Sequence, residues 1–222
     1  MAKVLRNRNL LIFIALNLFT FQTMAQYDER ENLFIGGLVG GGNFAQVDGD
    51  NFAGYHKAGW NAGAIVYAGI GEKLALSFEL LFAQKGSRAG RNQVPKLAND
   101  RNTIITDYSI KNAYAEFPLL LNYFEKGKSN FGGGFSYAQL VRSRESYRDG
   151  SGQLYIQEAK LYPFRKYDVN FVLNGNAHIW KGFYTNLRFQ YSLVSIRKAT
   201  NYLTGREQQF NNVWCVRLMY LF

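Results

Sequence analysis

Apolar and polar residues alternate with a period of two along most of this chain, and no segment after residue 26 has a convincing helical period. Successive side chains of a β-strand point to opposite faces, so the alternation predicts strands. In residues 74–86 one parity is apolar, and the other carries Glu79 and Lys85. Eight strands are predicted in this way: 33–45, 58–68, 74–86, 108–124, 131–143, 167–180, 183–195 and 209–222.

The connections between these strands alternate in length. Short links at 69–73, 125–130 and 181–182 are interleaved with long polar links, at 46–57, 87–107, 144–166 and 196–208. This is typical of barrels in the bacterial outer membrane, whose short turns face the periplasm. The strands of a soluble lipocalin-like barrel also alternate between apolar and polar residues, but their apolar side chains would point inward. We therefore predict an all-β fold, an eight-stranded antiparallel up-and-down transmembrane β-barrel of the outer-membrane type.

The final segment, "VWCVRLMYLF", fits this fold. In a bilayer, a closed barrel leaves no strand edge without hydrogen-bond partners, so the last strand is expected to pair with the first. An ordinary buried strand of a sandwich is the alternative. The apolar parity, ending on an aromatic residue, resembles the C-terminal signal that the outer-membrane assembly machinery reads. The predicted lipid-facing residues are Trp214, Val216, Leu218, Tyr220 and Phe222.

Residues 1–25 have the pattern of a cleaved signal peptide. Three basic residues precede the apolar run 10–19, and Thr23-Met24-Ala25 offers a cleavage site before Gln26. We expect Sec-type export, one barrel domain at 26–222, and integral localisation in the outer membrane of a Gram-negative bacterium. Three of the ten net positive charges lie in the leader, which leaves +7 for 26–222. This excess suggests an anionic neighbour, and export makes nucleic acid an unlikely partner.

Three segments resemble landmarks of a known family. Residues 79–87 ("ELLFAQKGS"), 114–123 ("YAEFPLLLNY") and 187–196 ("LRFQYSLVSI") resemble, in order, motifs of the PorT-like outer-membrane β-barrel proteins, the small porin-like barrels of Bacteroidota-type envelopes. The resemblance implies an eight-stranded barrel in the outer membrane and no shared activity. The eponymous member belongs to the type IX secretion machinery, but the extended first segment expected of that member is not evident here.

Four charged residues are expected inside the barrel by parity. Eight strands leave a lumen that side chains just fill, so we predict a plugged barrel. Buried charges require partners, and the predicted ion-pair network comprises Glu79, Glu116, Arg188 and Arg217. A gated ion path is the functional alternative to structural filling. Pro118 removes a ladder hydrogen bond, for which a bulge in strand 4 is expected.

Catalysis is not predicted. The two histidines, His56 and His178, have no serine two residues away on their strand face, and with Cys215 they cannot assemble a metal set. We predict neither enzymatic activity nor a cofactor.

The long loops are expected to carry specificity because they are basic and contain tyrosines. Arginine binds phosphate in a bidentate manner, so these cations would face the phosphates of lipopolysaccharide. The interpretation that they only solvate the loops and hold the barrel at its depth is favoured over a dedicated ligand or partner site. The predicted loop residues facing lipopolysaccharide or a partner are Arg88, Arg91, Arg101, Arg142, Arg144, Arg148, Arg165 and Arg197. A structural or adhesive role, with contacts to outer-membrane lipid and an envelope protein partner, is the leading hypothesis. An accessory subunit of an envelope machine comes second and a narrow channel third.

Overall fold

The computed structural model describes residues 34–50, 52–90, 93, 105–125, 129–157, 163–197 and 208–222. The predicted signal peptide, 1–25, lies outside these residues. The described part of the chain contains nine strands: β1 Phe34–Asp48, β2 Lys57–Gly69, β3 Leu74–Arg88, β4 Ile105–Phe124, β5 Asn130–Asp149, β6 Leu154–Gln157, β7 Tyr167–Trp180, β8 Phe183–Ser192 and β9 Phe210–Leu221. No helix in that part is long and apolar enough to cross a membrane.

Eight of the strands close into an antiparallel barrel, as the alternation predicts. Each pairs with its neighbour along the chain, β5 pairs with β7, and β9 returns to β1 with Gly37 opposite Leu221. Among the strands that the structure describes, the remaining one, β6, pairs with the upper part of β5 and with no other. This strand lies in the 144–166 link, which was predicted to be a loop. We call the end of the barrel with the 69–73, 125–129 and 181–182 connections the short-turn end, and the other the long-loop end.

The outer surface of the barrel is apolar. Leu38, Phe78, Leu119, Phe135 and Leu218 are all exposed on it, whereas asparagine, glutamine and charged side chains are buried inside. Aromatic side chains pack in pairs towards both ends of this surface, such as Trp60 with Phe82 near the long-loop end. An apolar outside and a polar inside are the reverse of a soluble barrel and match one that faces lipid.

Strands β4 and β5 rise above the other strands at the long-loop end. Each has 20 residues, and β5 continues six residues past its predicted end at Ser143. Val141 lies at a β-bulge, because Tyr114 pairs with Leu140 while the next residue, Ala113, pairs with Arg142. The extra residue changes the inward parity of β5, so that Glu145 and Tyr147 turn towards the barrel axis and the arginines turn outward.

Apolar side chains close both ends of the lumen. At the short-turn end Val39, Ile65, Tyr67, Tyr184 and Met219 form one buried cluster. At the long-loop end a second cluster caps the barrel and contains Val47, Phe52, Ile105, Tyr108, Ile110, Phe164 and Ile196. We call this second cluster the cap. Polar side chains fill the space between the two clusters.

Two local features bear on the predictions about glycine and proline. A Cβ added to Gly41 or Gly63 would lie 2.2 Å or 1.9 Å from a neighbouring carbonyl oxygen, so these strands approach too closely for a side chain. The bulge expected at Pro118 is absent. The β3–β4 ladder is instead interrupted between the Phe78–Leu119 and Leu81–Glu116 pairs, with no change of register. Proline lacks the N–H that would complete the ladder there.

Candidate functional site

The lumen holds the predicted charged residues in two buried groups. Glu79 bonds to the guanidinium groups of both Arg188 and Arg217, and Arg217 Nη1 lies 2.9 Å from Glu79 Oε2. Arg217 Nε also donates to Asn186 Oδ1 at 2.7 Å. All three charged side chains are buried. One carboxylate between two guanidinium groups leaves a net positive charge in this group.

Glu116 belongs to the second buried group, and its partner is a lysine rather than an arginine. Lys85 Nζ forms an ion pair with Glu116 and donates to Asn170 Oδ1 at 3.2 Å. Gln190 Nε2 donates to the other oxygen of Glu116 at 3.5 Å. The predicted network therefore omitted Lys85, although its inward parity was visible in the sequence. Asp168, also omitted, accepts hydrogen bonds from Ser192 and Asn211, both at 2.9 Å.

The cap contains a further ion pair that the loop prediction placed elsewhere. Arg197 was expected to face lipopolysaccharide or a partner, and this is wrong. Its side chain is 1% exposed, Nη2 lies 2.8 Å from Glu145 Oε2, and Nε donates to Gln209 at 2.8 Å. The bulge at Val141 directs Glu145 inward, and the buried carboxylate then requires a cation. Tyr108 donates its hydroxyl to the same carboxylate at 2.5 Å.

Asp50 is a buried acid in the loop between β1 and β2. Its Oδ1 accepts from the N–H of Phe52 at 2.8 Å, and the side chain of Ser87 also interacts with the carboxyl group. Burial is the main cause that raises the pKa of Asp50 to about 7, and the nearby Asp48 adds to it. This side chain is therefore uncharged below neutral pH.

The outward surface of β3, β4 and β5 beyond the aromatic residues carries most of the described loop arginines. Arg88 pairs across the strands with Ser109, Lys111 lies directly opposite Arg144, and Arg142 lies opposite Ala113. All four cations are exposed. Arg148 follows further out, opposite Asp107. We call Arg88, Lys111, Arg142, Arg144 and Arg148 the basic face.

The basic face creates a positive potential at its neighbours. Lys57, at the adjoining end of β2, is close enough to Lys111 and Arg88 for their charges to act on it. The face begins a few residues beyond Phe82 and Tyr137, aromatic residues of the outer surface, which corresponds to roughly 10–20 Å along the strands. Arg165 is half-buried before β7, and Arg91 and Arg101 lie outside the described residues.

The two histidines lie at opposite ends of the barrel. His178 Nε2 contacts the carbonyl oxygen of Lys181 at 2.6 Å, and His56 is exposed beside Gly54 and Gly90. Within the described ranges, no group of three or more His, Cys, Asp or Glu side chains could hold a metal ion. Cys215 is buried in the barrel wall.

The first four residues of the predicted C-terminal signal lie on the outer surface of the barrel. Trp214, Val216, Leu218, Tyr220 and Phe222 are all exposed, and Cys215, Arg217 and Met219 between them are buried. Phe183 and Tyr220 pack with ring centroids 4.8 Å apart.

Comparison with known proteins identifies the class of barrel. The model of the outer membrane protein beta-barrel domain family matches residues 24–198. No curated protein sequence matches the chain. Among solved structures, Ail of Yersinia pestis, in complex with the heparin analogue sucrose octasulfate, is 9% identical. It matches over 85% of this chain and 99% of Ail, with a TM-score of 0.47. Neisserial surface protein A is also 9% identical, over 85% of this chain and 96% of its own, with a TM-score of 0.41.

Proposed function

This chain belongs to the family of outer membrane protein β-barrel domains, and on that premise we propose that it is a non-catalytic structural protein that holds lipopolysaccharide. The ligand would bind at the basic face, outside the barrel and against its wall. Family membership places the barrel in the outer membrane, where the long-loop end faces the exterior. The phosphate groups of lipopolysaccharide lie just above the apolar part of that leaflet.

The like-charged pair of Lys111 and Arg144 is the observation that carries this proposal. The two residues lie directly opposite each other on adjacent strands, and like charges in that position destabilise a sheet. Arg88 and Arg142 extend the positive charge to both sides. An anion bound between these strands would remove the repulsion. Arginine is well suited to the task because its guanidinium group matches a phosphate with two parallel hydrogen bonds.

The position of the basic face favours a membrane lipid over a soluble anion. Its cations point outward from the barrel wall, and the face begins roughly 10–20 Å along the strands beyond the aromatic residues that mark the membrane surface. A basic residue near such a surface contributes about 1 kcal/mol to the binding of anionic lipid. The paired and buried lumen supports the structural part of the proposal, because its charges are engaged with one another rather than with a solute.

Binding of diphosphoryl lipid A to the purified barrel in zwitterionic lipid nanodiscs tests the proposal. Replacing both Lys111 and Arg144 by Gln is expected to weaken binding about 10- to 30-fold, since two contacts of about 1 kcal/mol are lost. Lys181→Gln is the control, because Lys181 is an exposed cation at the short-turn end. Equal binding by the double variant and the wild type, or equal binding of dephosphorylated lipid A, would contradict the proposal.

A role as an accessory subunit of an envelope machine, such as the type IX secretion system, is the second candidate. It is supported by the three PorT-like motifs and by the strands that rise above the membrane. Stoichiometric copurification of other envelope proteins in mild detergent would favour it. We further propose Sec-type export with cleavage after Ala25, followed by insertion through the outer-membrane assembly machinery. N-terminal sequencing of the membrane-embedded form would test the cleavage.

A further inference from the structure

Strands β5 and β6 form a hairpin that extends beyond the membrane on the outer side of the cap. Its turn is held by one side chain, because Asp149 Oδ1 accepts from the N–H groups of Ser151 and Gln153, each at 3.0 Å. Tyr155 stacks on Tyr147 across the hairpin, with ring centroids 5.1 Å apart. Tyr147 in turn packs against the cap. The hairpin is therefore exposed, and these contacts hold its conformation in place.

No strand of the described ranges covers the second edge of β6. In the described part of the chain β6 pairs with β5 and with no other strand, and it ends the order of the sheet. The N–H of Asp149 donates to Gln153 at 3.2 Å, and hydrogen-bonded pairs alternate with non-bonded pairs in an antiparallel ladder. Leu154 and Ile156 are thus the residues whose N–H and C=O groups point away from β5. Those groups are positioned to pair with another strand.

The side chains along this edge are apolar and accessible. Leu154 is 47% exposed and Ile156 is 54% exposed, and both lie on the same side of the sheet as Arg148 and Arg144. Edge strands of soluble proteins commonly carry a charge or a proline that prevents pairing with another chain. Within β6 itself, Leu154–Gln157, there is neither.

We propose that the second edge of β6 binds an extended, acidic segment of a partner protein, which adds to the sheet as a further strand. The backbone groups of Leu154 and Ile156 would supply the hydrogen bonds, and their side chains an apolar contact. The positive charge of the basic face determines which kind of partner can bind. The adjoining basic face attracts an acidic segment, whereas a second copy of this chain would bring two basic faces together. The bracing of the hairpin reduces the conformational entropy lost on binding.

A fluorescein-labelled octapeptide of alternating valine and glutamate is a suitable probe, with the valine–lysine peptide as its counterpart. Fluorescence anisotropy with the full mature barrel in nanodiscs measures binding. Ile156→Pro removes only the N–H that points away from β5, so the ladder within the hairpin is retained. This variant is expected to lose at least 10-fold in affinity for the glutamate peptide. Ile156→Thr keeps the N–H and should bind within about 3-fold of the wild type.

Hydrogen exchange of the unmodified protein provides a test that requires no variant. The amides of Leu154 and Ile156 should exchange rapidly in the free protein and slow at least 10-fold when the glutamate peptide is added. The proposal fails if these amides are already protected in the free protein. It also fails if the lysine peptide binds equally well, or if Ile156→Pro binds like the wild type, which would assign the peptide to the basic face alone. None of these results depends on whether lipopolysaccharide binds.

Discussion

At the scale of single residues, Glu79 has the greatest influence on the lumen because two buried cations depend on it. Arg188 and Arg217 both direct a guanidinium nitrogen to its carboxylate. Removing one partner of a buried ion pair leaves an uncompensated charge in a medium that solvates it poorly. The cost is larger than the net contribution of the intact group.

Glu79→Gln keeps the shape of the side chain and removes its charge. We expect it to lower the free energy of unfolding by about 3–5 kcal/mol, as for other broken buried pairs. Urea titration of the barrel in lipid vesicles measures the change. Glu125→Gln is the control, because Glu125 is exposed at the short-turn end. A loss no greater than that of the control would show that the two arginines do not need this carboxylate.

Asp50 makes the stability of the cap dependent on pH. The pKa of its carboxyl group is about 7 in the folded protein, against an ordinary value of 3.8. Between these values the folded chain holds a proton that the unfolded chain has lost. Stability is therefore expected to fall as the pH rises from about 4 to about 7, by about 1.4 kcal/mol for each pH unit, and then to level off.

Asp50→Asn removes this titration while keeping an oxygen that accepts from Phe52. The variant should match the wild type near pH 4 and exceed it in stability above pH 7. Urea titrations at pH 4, 6 and 8 distinguish the two proteins. An unchanged pH dependence in the variant would show that other groups are responsible.

At the scale of whole strands, β9 illustrates how strictly the two faces of the wall differ. Leu218 is 58% exposed on the outer surface, between Trp214 and Tyr220 and one residue from their midpoint, whereas Arg217 beside it is buried in the lumen. Leu218→Arg is expected to cost about 2–4 kcal/mol, because it places a charge near the middle of the bilayer. Phe210→Arg, at the long-loop end of the same strand, should cost about 0–1 kcal/mol.

Folding and unfolding titrations of both variants in lipid vesicles measure these costs. The comparison controls for the loss of an apolar side chain, since each variant replaces one. Similar costs at the two positions would mean that the bilayer does not cover β9 as its exposed apolar side chains indicate.

The strands also show which of their limits and faces can be predicted from the sequence and which cannot. The alternation within β3, β7, β8 and β9 is regular, so their faces and approximate limits follow from period two alone. In β5 the bulge at Val141 shifts that period by one residue, and the predicted strand accordingly stops near the shift. That single residue explains why the side chains of Arg142 and Arg144 point outward and why that of Glu145 points inward. A bulge leaves no composition signal of its own.

Partner choice inside the barrel was predictable only in part. Parity alone identifies Glu79, Arg188 and Arg217 as lumen residues, and it also identifies Lys85. Which base meets which acid depends on the stagger between strands that are distant in sequence. The pairing of Arg197 with Glu145 depends in addition on how a long connection folds back over the lumen. Neither the stagger between distant strands nor the path of a long connection can be read from one strand at a time.

At the scale of the whole molecule, the barrel is closed at three successive levels. An apolar cluster fills the short-turn end, paired charges fill the middle, and the cap covers the long-loop end. The space between Glu116, Arg188 and their neighbours does not admit a water molecule. The exposed cations of the basic face lie on the outside of the barrel, next to the β5–β6 hairpin. In the roles that we propose, recognition takes place at the outer wall and the hairpin rather than in a pore.

This division of roles predicts the electrical behaviour of the reconstituted protein. In planar bilayers the wild type is expected to show no steady, large single-channel conductance, because an ion would have to cross two apolar layers and displace buried ion pairs. Replacing Glu79, Arg188 and Arg217 together by Ala empties only the middle level, so this variant should also remain closed. An open porin in the same bilayer confirms that conductance is detectable. A steady current through the wild type would make a solute path, rather than the outer wall, the functional centre of the molecule.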